Sequence, residues 1–308
     1  MIIKSHILRF VLPLALFFLA GCATQVPVTE LSRYAQPPSQ FLSIKGMRVH
    51  VRDQGNPDKP ALVMLHGIFS SLHTWEKWRP HLEKDFRLIS LDLPNFGMTG
   101  PFPSGETSDD AYMAVLEEVA EQLQLKEFYL AGNSLGGYFS YQYAARNPEQ
   151  VKKLVMLDPA GFFFVPPAAM MLWGTPVVGQ LVDEIEPPRF VMESLLKNAY
   201  HNADKVTDTE LNRYADLLSR EGNREAGGRM VRHIRNSMGF DLSKLDQLTM
   251  PVLIIWGEED NWIPVRHAQQ FHDAIKGSEL IIYPEVGHMP MEEIPEQSAQ
   301  DVAAFLNK

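Results

Sequence analysis

The feature that most constrains the fold of this chain is the alternation of short apolar runs with stretches of helical periodicity. The apolar runs have the length and composition of buried strands: Ala61–Leu65, Leu88–Leu91, Phe128–Ala131, Leu154–Leu157, Val252–Trp256 and Leu280–Tyr283. Helical stretches fill most of the intervals: Asp109–Leu123, Leu135–Arg146, Val265–Ile275 and Glu296–Leu306. Before them, Phe41–Lys45 and Met47–Arg52 flank Gly46 and indicate a hairpin. This order predicts an α/β fold, in which helices flank both faces of a mostly parallel sheet.

One interval interrupts the alternation. From residue 161 to about residue 245 the pattern is helical and loop-like, with two proline pairs as breakers and no clear strand. We interpret residues 161–245 as a helical cap inserted into a core of residues 41–160 and 246–308. With 308 residues and 45% hydrophobic composition, the chain is large enough to form one such domain. Such a cap would form a lid over the carboxyl ends of the strands, shape a pocket and exclude water. The alternative is that these helices only enlarge the core.

Composition and charge exclude several classes of function. The net charge of −10 and the isoelectric point near 5.5 leave no basic stripe for a nucleic-acid backbone. None of the ten histidines falls in HExxH or an equivalent spacing, and a single cysteine cannot form a thiolate cluster. We therefore expect chemistry without a metal or other cofactor, acting on a small molecule and not on nucleic acid.

The first 21 residues have the layout of an export signal. Lys4 and Arg9 precede an apolar run over residues 10–20, which is too short for a membrane span. The run ends in Leu-Ala-Gly-Cys at residues 19–22, which resembles the lipobox of bacterial lipoproteins. This resemblance implies that Cys22 carries lipid and becomes the first mature residue. An ordinary signal peptide with an incidental cysteine is the alternative.

The predicted lipid would anchor the protein in the bacterial cell envelope. Residues 22–40 are polar, contain three prolines and lack a sustained period, so we expect a tether between lipid and domain. Ala23 and Thr24 follow the cysteine, and neither is the aspartate that favours inner-membrane retention in the resembled lipoproteins. The membrane partner is therefore predicted to be the outer membrane.

The most specific motif is Gly-Asn-Ser-Leu-Gly at residues 132–136, which matches G-x-S-x-G. It directly follows a predicted strand and precedes a predicted helix, the context that this motif requires. A strand that turns abruptly into a helix strains its middle residue, and the flanking glycines remove side chains that would clash. Ser134 is therefore the candidate nucleophile. A chance match in a glycine-serine turn is the alternative.

A serine nucleophile needs a base within hydrogen-bond reach and a carboxylate that orients the base. Asp260 follows one late predicted strand and His288 follows the next, in the order serine, acid, histidine. Loops at the carboxyl ends of parallel strands meet at one edge of the sheet, so these side chains could meet Ser134. Three rival acids are close to strand ends: Glu258, Glu259 and Asp158.

Acyl transfer also needs backbone donors for a developing oxyanion. The N–H of Leu135 follows the nucleophile, and we expect the second donor from Ile68, in the loop after the first buried strand. Phe69 is the close alternative for this donor. We interpret His66, at the start of the same loop, as a structural residue that braces the turn.

These pieces together resemble the α/β-hydrolase superfamily, from about residue 41 to the C-terminus. Matching segments occur in order at residues 66–67, 92–97, 132–136, 157–161, 257–264 and 287–295. Within the superfamily the chain resembles the capped esterase and lipase group, which also includes carbon-carbon bond hydrolases of aromatic ring degradation. Two features depart from the pattern: Asn95-Phe96 stands where glycine and histidine are frequent, and Ile68-Phe69 replaces a glycine-rich or proline-bearing run. Some relatives of similar layout use an aspartate nucleophile at the position of Ser134, so the serine argues against membership of those groups.

The resemblance implies a Ser-His-Asp mechanism, and the predicted function is hydrolysis of carboxylic esters by an esterase or lipase. Two alternatives remain. The same triad could serve a carbon-carbon bond hydrolase acting on a vinylogous diketone, or the fold could persist as a catalytically silent surface-binding lipoprotein.

Overall fold

The computed structural model describes residues 25–236 and 240–308. It contains one eight-stranded sheet, whose strands are β1 Ser39–Ile44, β2 Met47–Gly55, β3 Ala61–Leu65, β4 Arg87–Leu91, β5 Phe128–Asn133, β6 Val151–Leu157, β7 Val252–Gly257 and β8 Glu279–Tyr283. The spatial order is β1-β2-β4-β3-β5-β6-β7-β8. β2 runs antiparallel to both β1 and β4, and every pair from β4 to β8 is parallel. The predicted α/β fold with a mostly parallel sheet is confirmed.

Nine helices longer than one turn accompany the sheet in the described residues: α1 Asp109–Gln122, α2 Leu135–Arg146, α3 Ala168–Trp173, α4 Pro176–Asp183, α5 Arg189–Ala199, α6 Asp208–Ser219, α7 Asn223–Asn236, α8 Arg266–Ala274 and α9 Pro295–Leu306. Single helical turns form at Arg79–Leu82 and Pro290–Glu293, and short 3-10 segments at Val28–Ala35, Leu72–Trp75, Ala203–Lys205 and Leu245–Gln247. Residues 161–236 and 240–245, the described part of the predicted cap, contain no strand, and we call this helical segment the cap.

The core has two layers because successive residues of each strand face opposite sides of the sheet. In β3, Val63 and Leu65 pack on one side with side chains of α1, α2 and α8. Leu62 and Met64 pack on the other side with Trp78 and the inner face of α9. Both faces of the central strands are thus apolar, which explains why these strands read as continuous apolar runs in the sequence.

The segment before β1 differs from the tether predicted for residues 22–40. Val26 pairs with the backbone at Arg220, between α6 and α7. Leu31, in the 3-10 segment, is fully buried and packs with Met98 and Leu217. The apolar side chains in this polar stretch share one face, and the domain covers that face. Residues 25–35 therefore pack against the domain and do not form a free tether. The predicted export signal and Cys22 lie outside the described residues.

Among the described residues, no helix combines the length and the hydropathy needed to cross a bilayer.

Candidate active site

Ser134 occupies a strained turn between β5 and α2. Its backbone has φ 55° and ψ −118°, a conformation that side-chain-bearing residues rarely adopt. A Cβ on Gly132 would lie 2.2 Å from the carbonyl oxygen of Gly136, and one on Gly136 would lie 2.2 Å from that of Leu65. Glycine is therefore required at both positions, because the backbones approach too closely for any side chain. The turn places Ser134 at the carboxyl edge of the sheet, on the wall of a cavity.

His288 and Asp260 lie in the loops after β8 and β7, and the fold brings them into contact. The Nδ1 of His288 donates to Oδ2 of Asp260 at 2.7 Å, and both side chains are almost completely buried. The other oxygen of Asp260 accepts the N–H groups of Trp262 at 2.7 Å and Ile263 at 2.9 Å. These three donors fix the carboxylate, which in turn fixes the tautomer of the imidazole so that Nε2 is left to accept a proton.

The other ring nitrogen of His288, Nε2, belongs to a side chain that lines the same cavity as Ser134. It is buried and has no hydrogen-bond partner among the described residues. The indole of Trp262 stacks on the imidazole, with 5.6 Å between ring centroids and 13° between the planes. This packing limits rotation of the ring. Since Nε2 has no partner among the described residues, Ser134 and His288 are not hydrogen-bonded through it in this structure. In enzymes of this kind such a bond commonly tightens only when substrate is bound.

The rival acids take different positions. Glu258 and Glu259 are exposed, and only their backbone N–H groups bond to the loop of His288, through the carbonyls of Tyr283 and Val286. Asp158, at the end of β6, is fully buried and contributes an oxygen to a group with Asp260 and His288 whose atoms lie within 4.8 Å of one another.

Asp158 is therefore near the histidine without touching it. Its Oδ1 accepts the N–H of Gly257 at 2.8 Å, and its Oδ2 has no partner among the described residues. Burial, together with the nearby Asp260, raises the pKa of Asp158 well above its usual value. Of the candidate acids, Asp260 alone bonds to the imidazole.

The predicted oxyanion donors lie on either side of Ser134, the candidate nucleophile. Leu135 is the first residue of α2, where an N–H has no carbonyl partner within the helix. Ile68 lies in the loop after β3, which approaches Ser134 so closely that a Cβ on Gly67 would lie 3.1 Å from the serine Cβ. The N–H groups of Ile68 and Phe69 have no hydrogen-bond acceptor among the described residues, so the structure leaves both alternatives open.

His66 braces this loop. Its Nδ1 donates to the carbonyl of Gly67 at 2.7 Å, and its Nε2 accepts the N–H of Leu93 at 2.9 Å. One donor and one acceptor require a neutral imidazole, and complete burial lowers the pKa of His66 accordingly. The histidine ties the loop after β3 to the loop after β4 and lies outside the cavity that Ser134 and His288 share.

Asp92 organises the same pair of loops. Its two oxygens accept N–H groups from Leu72 at 2.7 Å and Met98 at 2.6 Å, and the Nδ1 of His50 donates to it at 2.7 Å. Burial alone would raise the pKa of Asp92, but the neighbouring imidazoles, His50 foremost, lower it well below its usual value. The family-like segment at residues 92–97 thus has a structural role beside the site.

Two residues that hold the site together were missed in the sequence. The side-chain amide of Asn133 donates to the carbonyls of Leu157 at 3.2 Å and His288 at 3.1 Å, which ties the serine turn to the histidine loop. Glu293 is buried and accepts the N–H groups of Gly287 at 2.9 Å and Asn202 at 2.8 Å. Asn133 sits at the variable position of G-x-S-x-G, and a pair of glutamates near a helix start usually faces solvent, so neither position gave a signal.

Two apolar cavities meet at Ser134. The smaller, about 80 Å³, extends along α5 and is lined by Ser134, His288, Trp262, Leu196 and Tyr214 among others. The larger, about 730 Å³, extends under the loop before α3 and is lined mainly by apolar side chains of core and cap: Phe162, Phe163, Phe164, Val165, Met171, Val231, Phe240 and Ile263. Ile68, Met170 and Trp262 also line both cavities. A molecule bound at Ser134 can therefore place one apolar group in each of the two cavities.

The chain is similar to known proteins over most of its length. The sequence pattern of the Alpha/beta hydrolase family matches residues 62–305. The uncharacterized hydrolase YugF of Bacillus subtilis (strain 168) is 27% identical over 274 residues, which cover 88% of this chain and 99% of that protein. The 2-hydroxy-6-oxononadienedioate/2-hydroxy-6-oxononatrienedioate hydrolase of Escherichia coli (strain K12) is 27% identical over 280 residues, or 87% and 95% of the two chains.

Among solved structures, a membrane phospholipase A described as a bacterial virulence factor is similar to this chain with a TM-score of 0.75. The two are 24% identical, and the match covers 99% of this chain and 98% of the other. This likeness shows a shared fold.

Proposed function

Because the chain belongs to the alpha/beta hydrolase family, we propose that it is a serine hydrolase of carboxylic esters. In this proposal Ser134 is the nucleophile, His288 the general base, and Asp260 the carboxylate that orients the base. The proposal is supported above all by the position of Ser134, on a strained turn where two apolar cavities meet beside the buried pair of His288 and Asp260.

Acylation begins with an ester whose carbonyl carbon lies against the Oγ of Ser134. The Oγ–C bond forms while Nε2 of His288 takes the serine proton, and the backbone N–H groups of Leu135 and Ile68 hold the negative oxygen. Asp260 stabilises the imidazolium without taking its proton. The imidazolium then passes the proton to the leaving oxygen, the ester C–O bond breaks, and the alcohol departs.

Deacylation repeats these steps with water. Nε2 of His288 takes a proton from the water as its oxygen attacks the acyl carbon, and the same proton returns to Oγ of Ser134 when the acyl bond breaks. The products are a carboxylic acid and an alcohol. The two cavities give the acyl and alcohol halves of the substrate separate places.

The carbon-carbon hydrolase alternative gains support from the 27% identical Escherichia coli relative, whose named substrates are dicarboxylates. Against it, the larger cavity contains one charged lining residue among those described, Arg235, whose Nη1 already donates to the carbonyl of Gly174 at 2.8 Å. The smaller cavity has none among its described lining residues except the catalytic imidazole. Burying two carboxylates without cations is costly, so an uncharged ester fits these cavities better.

We further propose that Cys22 is lipidated and that the protein is anchored in the bacterial cell envelope, at the outer membrane. The support is the Leu-Ala-Gly-Cys sequence at residues 19–22 after a charged and apolar leader. Its test is metabolic labelling with a radioactive or alkyne-bearing fatty acid, which should label the wild type and leave Cys22→Ser unlabelled.

The enzymatic proposal is tested with p-nitrophenyl esters of graded acyl length, from acetate to palmitate, beside a 2-hydroxy-6-oxo-dienoate. We expect ester turnover that falls at least about a thousandfold in Ser134→Ala, the scale of losing a triad nucleophile. The chain-length profile then distinguishes an esterase from a lipase. Turnover of the dienoate with none of any ester would replace the proposal with the carbon-carbon hydrolase, and no turnover of either with no fluorophosphonate labelling would favour a silent scaffold.

A further inference from the structure

Exposed apolar side chains of this protein are concentrated on the cap. Ten large apolar side chains are exposed among the described residues, and nine of them lie between Phe163 and Phe190. Phe163 is 81% exposed and Val177 is 72% exposed. Residues 161–182 contain no aspartate, glutamate, lysine, arginine or histidine. Contiguous apolar exposure of this kind on a globular domain marks a surface that contacts a membrane, another protein or a ligand.

Seven of these side chains form what we call the apolar cap face. They come from the loop before α3, from α3, and from α4, which packs against α3: Phe163, Val165, Met171, Leu172, Val177, Val178 and Leu181. Three of the seven, Phe163, Val165 and Met171, also line the larger cavity that reaches Ser134. The apolar cap face is therefore continuous with the lining of the larger cavity.

The beginning of the described chain is fastened to the same cap. The backbone of Val26 bonds to Ser219 at 2.8 Å and to Glu221 at 2.9 Å, at the junction of α6 and α7. Helices α3 and α4 both pack against α7. Gly228 of α7 has no side chain, which leaves room for the side chains of Trp173 and Asp183 from those two helices. The cap face and the chain's attachment point thus belong to one packed unit.

This attachment bears on the proposed lipid anchor. Cys22 precedes the first described residue, Gln25, by three residues, a separation that an extended chain spans in at most about 10 Å. A lipid on Cys22 would therefore hold a membrane close to the cap, with little free tether between them. The proposed anchor and the observed apolar cap face rest on different residues, and both direct the cap toward lipid.

We propose that the apolar cap face inserts into the surface of a lipid bilayer, so that the larger cavity opens toward lipid. Insertion is driven by burial of apolar surface and needs no anionic headgroup, since the face carries no cation and the chain has a net charge of −10. That the cavity then receives a lipid ester rests on the proposed function, whereas the insertion itself does not.

The single cysteine of the chain allows a site-specific test. In the full-length Cys22→Ser chain, Val177→Cys is labelled with a polarity-sensitive nitrobenzoxadiazole probe, and Ile282→Cys, at an exposed apolar position on β8, is the matched control. Phosphatidylcholine vesicles should raise and blue-shift the emission of the probe at residue 177 several-fold over that at residue 282. Lipids with a nitroxide near the headgroup should quench it at residue 177 alone.

Three results would overturn the proposal. One is equal responses at residues 177 and 282, and another is a response at residue 177 that appears only with anionic phosphatidylglycerol. The third is a blue shift at residue 177 that grows with protein concentration without vesicles, which would assign the face to a second copy of the chain. Hydrolysis of p-nitrophenyl acetate by the same labelled protein is recorded in parallel. Lack of insertion and lack of esterase activity are thereby separate outcomes.

Discussion

Asp260 and Asp158 are neighbours at the edge of the sheet formed by the C-terminal ends of the strands, but their hydrogen bonding differs. Asp260 accepts three hydrogen bonds, from His288, Trp262 and Ile263, whereas Asp158 accepts one from Gly257. Burial and the proximity of Asp260 raise the pKa of Asp158 well above its usual value, which favours its neutral, protonated form. A neutral acid cannot stabilise an imidazolium by charge. These surroundings favour Asp260 over Asp158 as the carboxylate that orients His288.

Substitution by asparagine separates the two roles. Asp260→Asn should lower kcat on a short p-nitrophenyl ester by about 10⁴-fold, because the amide favours the wrong tautomer of His288. Asp158→Asn should leave kcat within about tenfold, since Asp158 does not bond to the imidazole and an amide has nearly the shape of its carboxyl group. The reverse ranking in steady-state kinetics would show that Asp158 is the orienting acid.

At the scale of elements, the site depends on contacts that join the cap to the core. Glu293, in the turn before α9, accepts N–H groups of Gly287 in the histidine loop and of His201 and Asn202 just after α5. The N–H of His288 in turn donates to the carbonyl of Ala199, the last residue of α5, at 2.7 Å. The position of the imidazole is therefore set partly by a cap helix.

Glu293→Ala tests this coupling. Loss of a buried carboxylate that accepts three backbone N–H groups should lower the free energy of unfolding by about 2–4 kcal/mol. It should also lower kcat, because the loop of His288 loses its support. Glu296→Ala, three residues along the chain and exposed, should change stability by about 0.5 kcal/mol or less. Equal urea midpoints for the two variants would contradict the role given to Glu293.

These contacts also mark the limit of prediction from the sequence. The apolar runs predicted the central strands to within a few residues, because both faces of the sheet are buried and the periodicity is strong. Ser134, Asp260 and His288 were predicted as a set, because strand ends in a parallel sheet converge. Asn133 and Glu293 were not, because each bonds to backbone far away in sequence, and no local pattern encodes a long-range partner. The docking of residues 25–35 was missed for the same reason.

At the scale of the whole molecule, buried histidines make stability depend on pH. His73 lies between β2 and the segment before β1, where its Nε2 donates to the carbonyl of Tyr34 at 3.0 Å. Burial, with a smaller contribution from Arg52, lowers the pKa of His73 to about 3, and burial also lowers the pKa of His66. Both imidazoles are neutral in the folded protein at neutral pH.

The sign of the effect follows from proton uptake. Below pH 6.5 the unfolded chain protonates His73 while the folded chain does not, so stability falls as the pH falls toward 3. For this histidine alone the loss reaches about 2 kcal/mol at pH 5. The free energy of unfolding, measured in urea between pH 5 and 8, should fall less steeply with decreasing pH in His73→Gln than in the wild type. His81→Gln, at an exposed position, is the control. The same pH dependence in the wild type and both variants would refute the prediction.

The central claim is that Ser134 is an activated nucleophile, and covalent labelling tests it most directly. A fluorophosphonate should add its phosphonyl group to Oγ of Ser134 with loss of fluoride, and mass spectrometry should find the added mass on the peptide containing residue 134. Ser70→Ala removes another hydroxyl of the same cavity and should still be labelled, whereas Ser134→Ala should not. Folded wild-type protein that stays unlabelled, or a label on another residue, would contradict the claim.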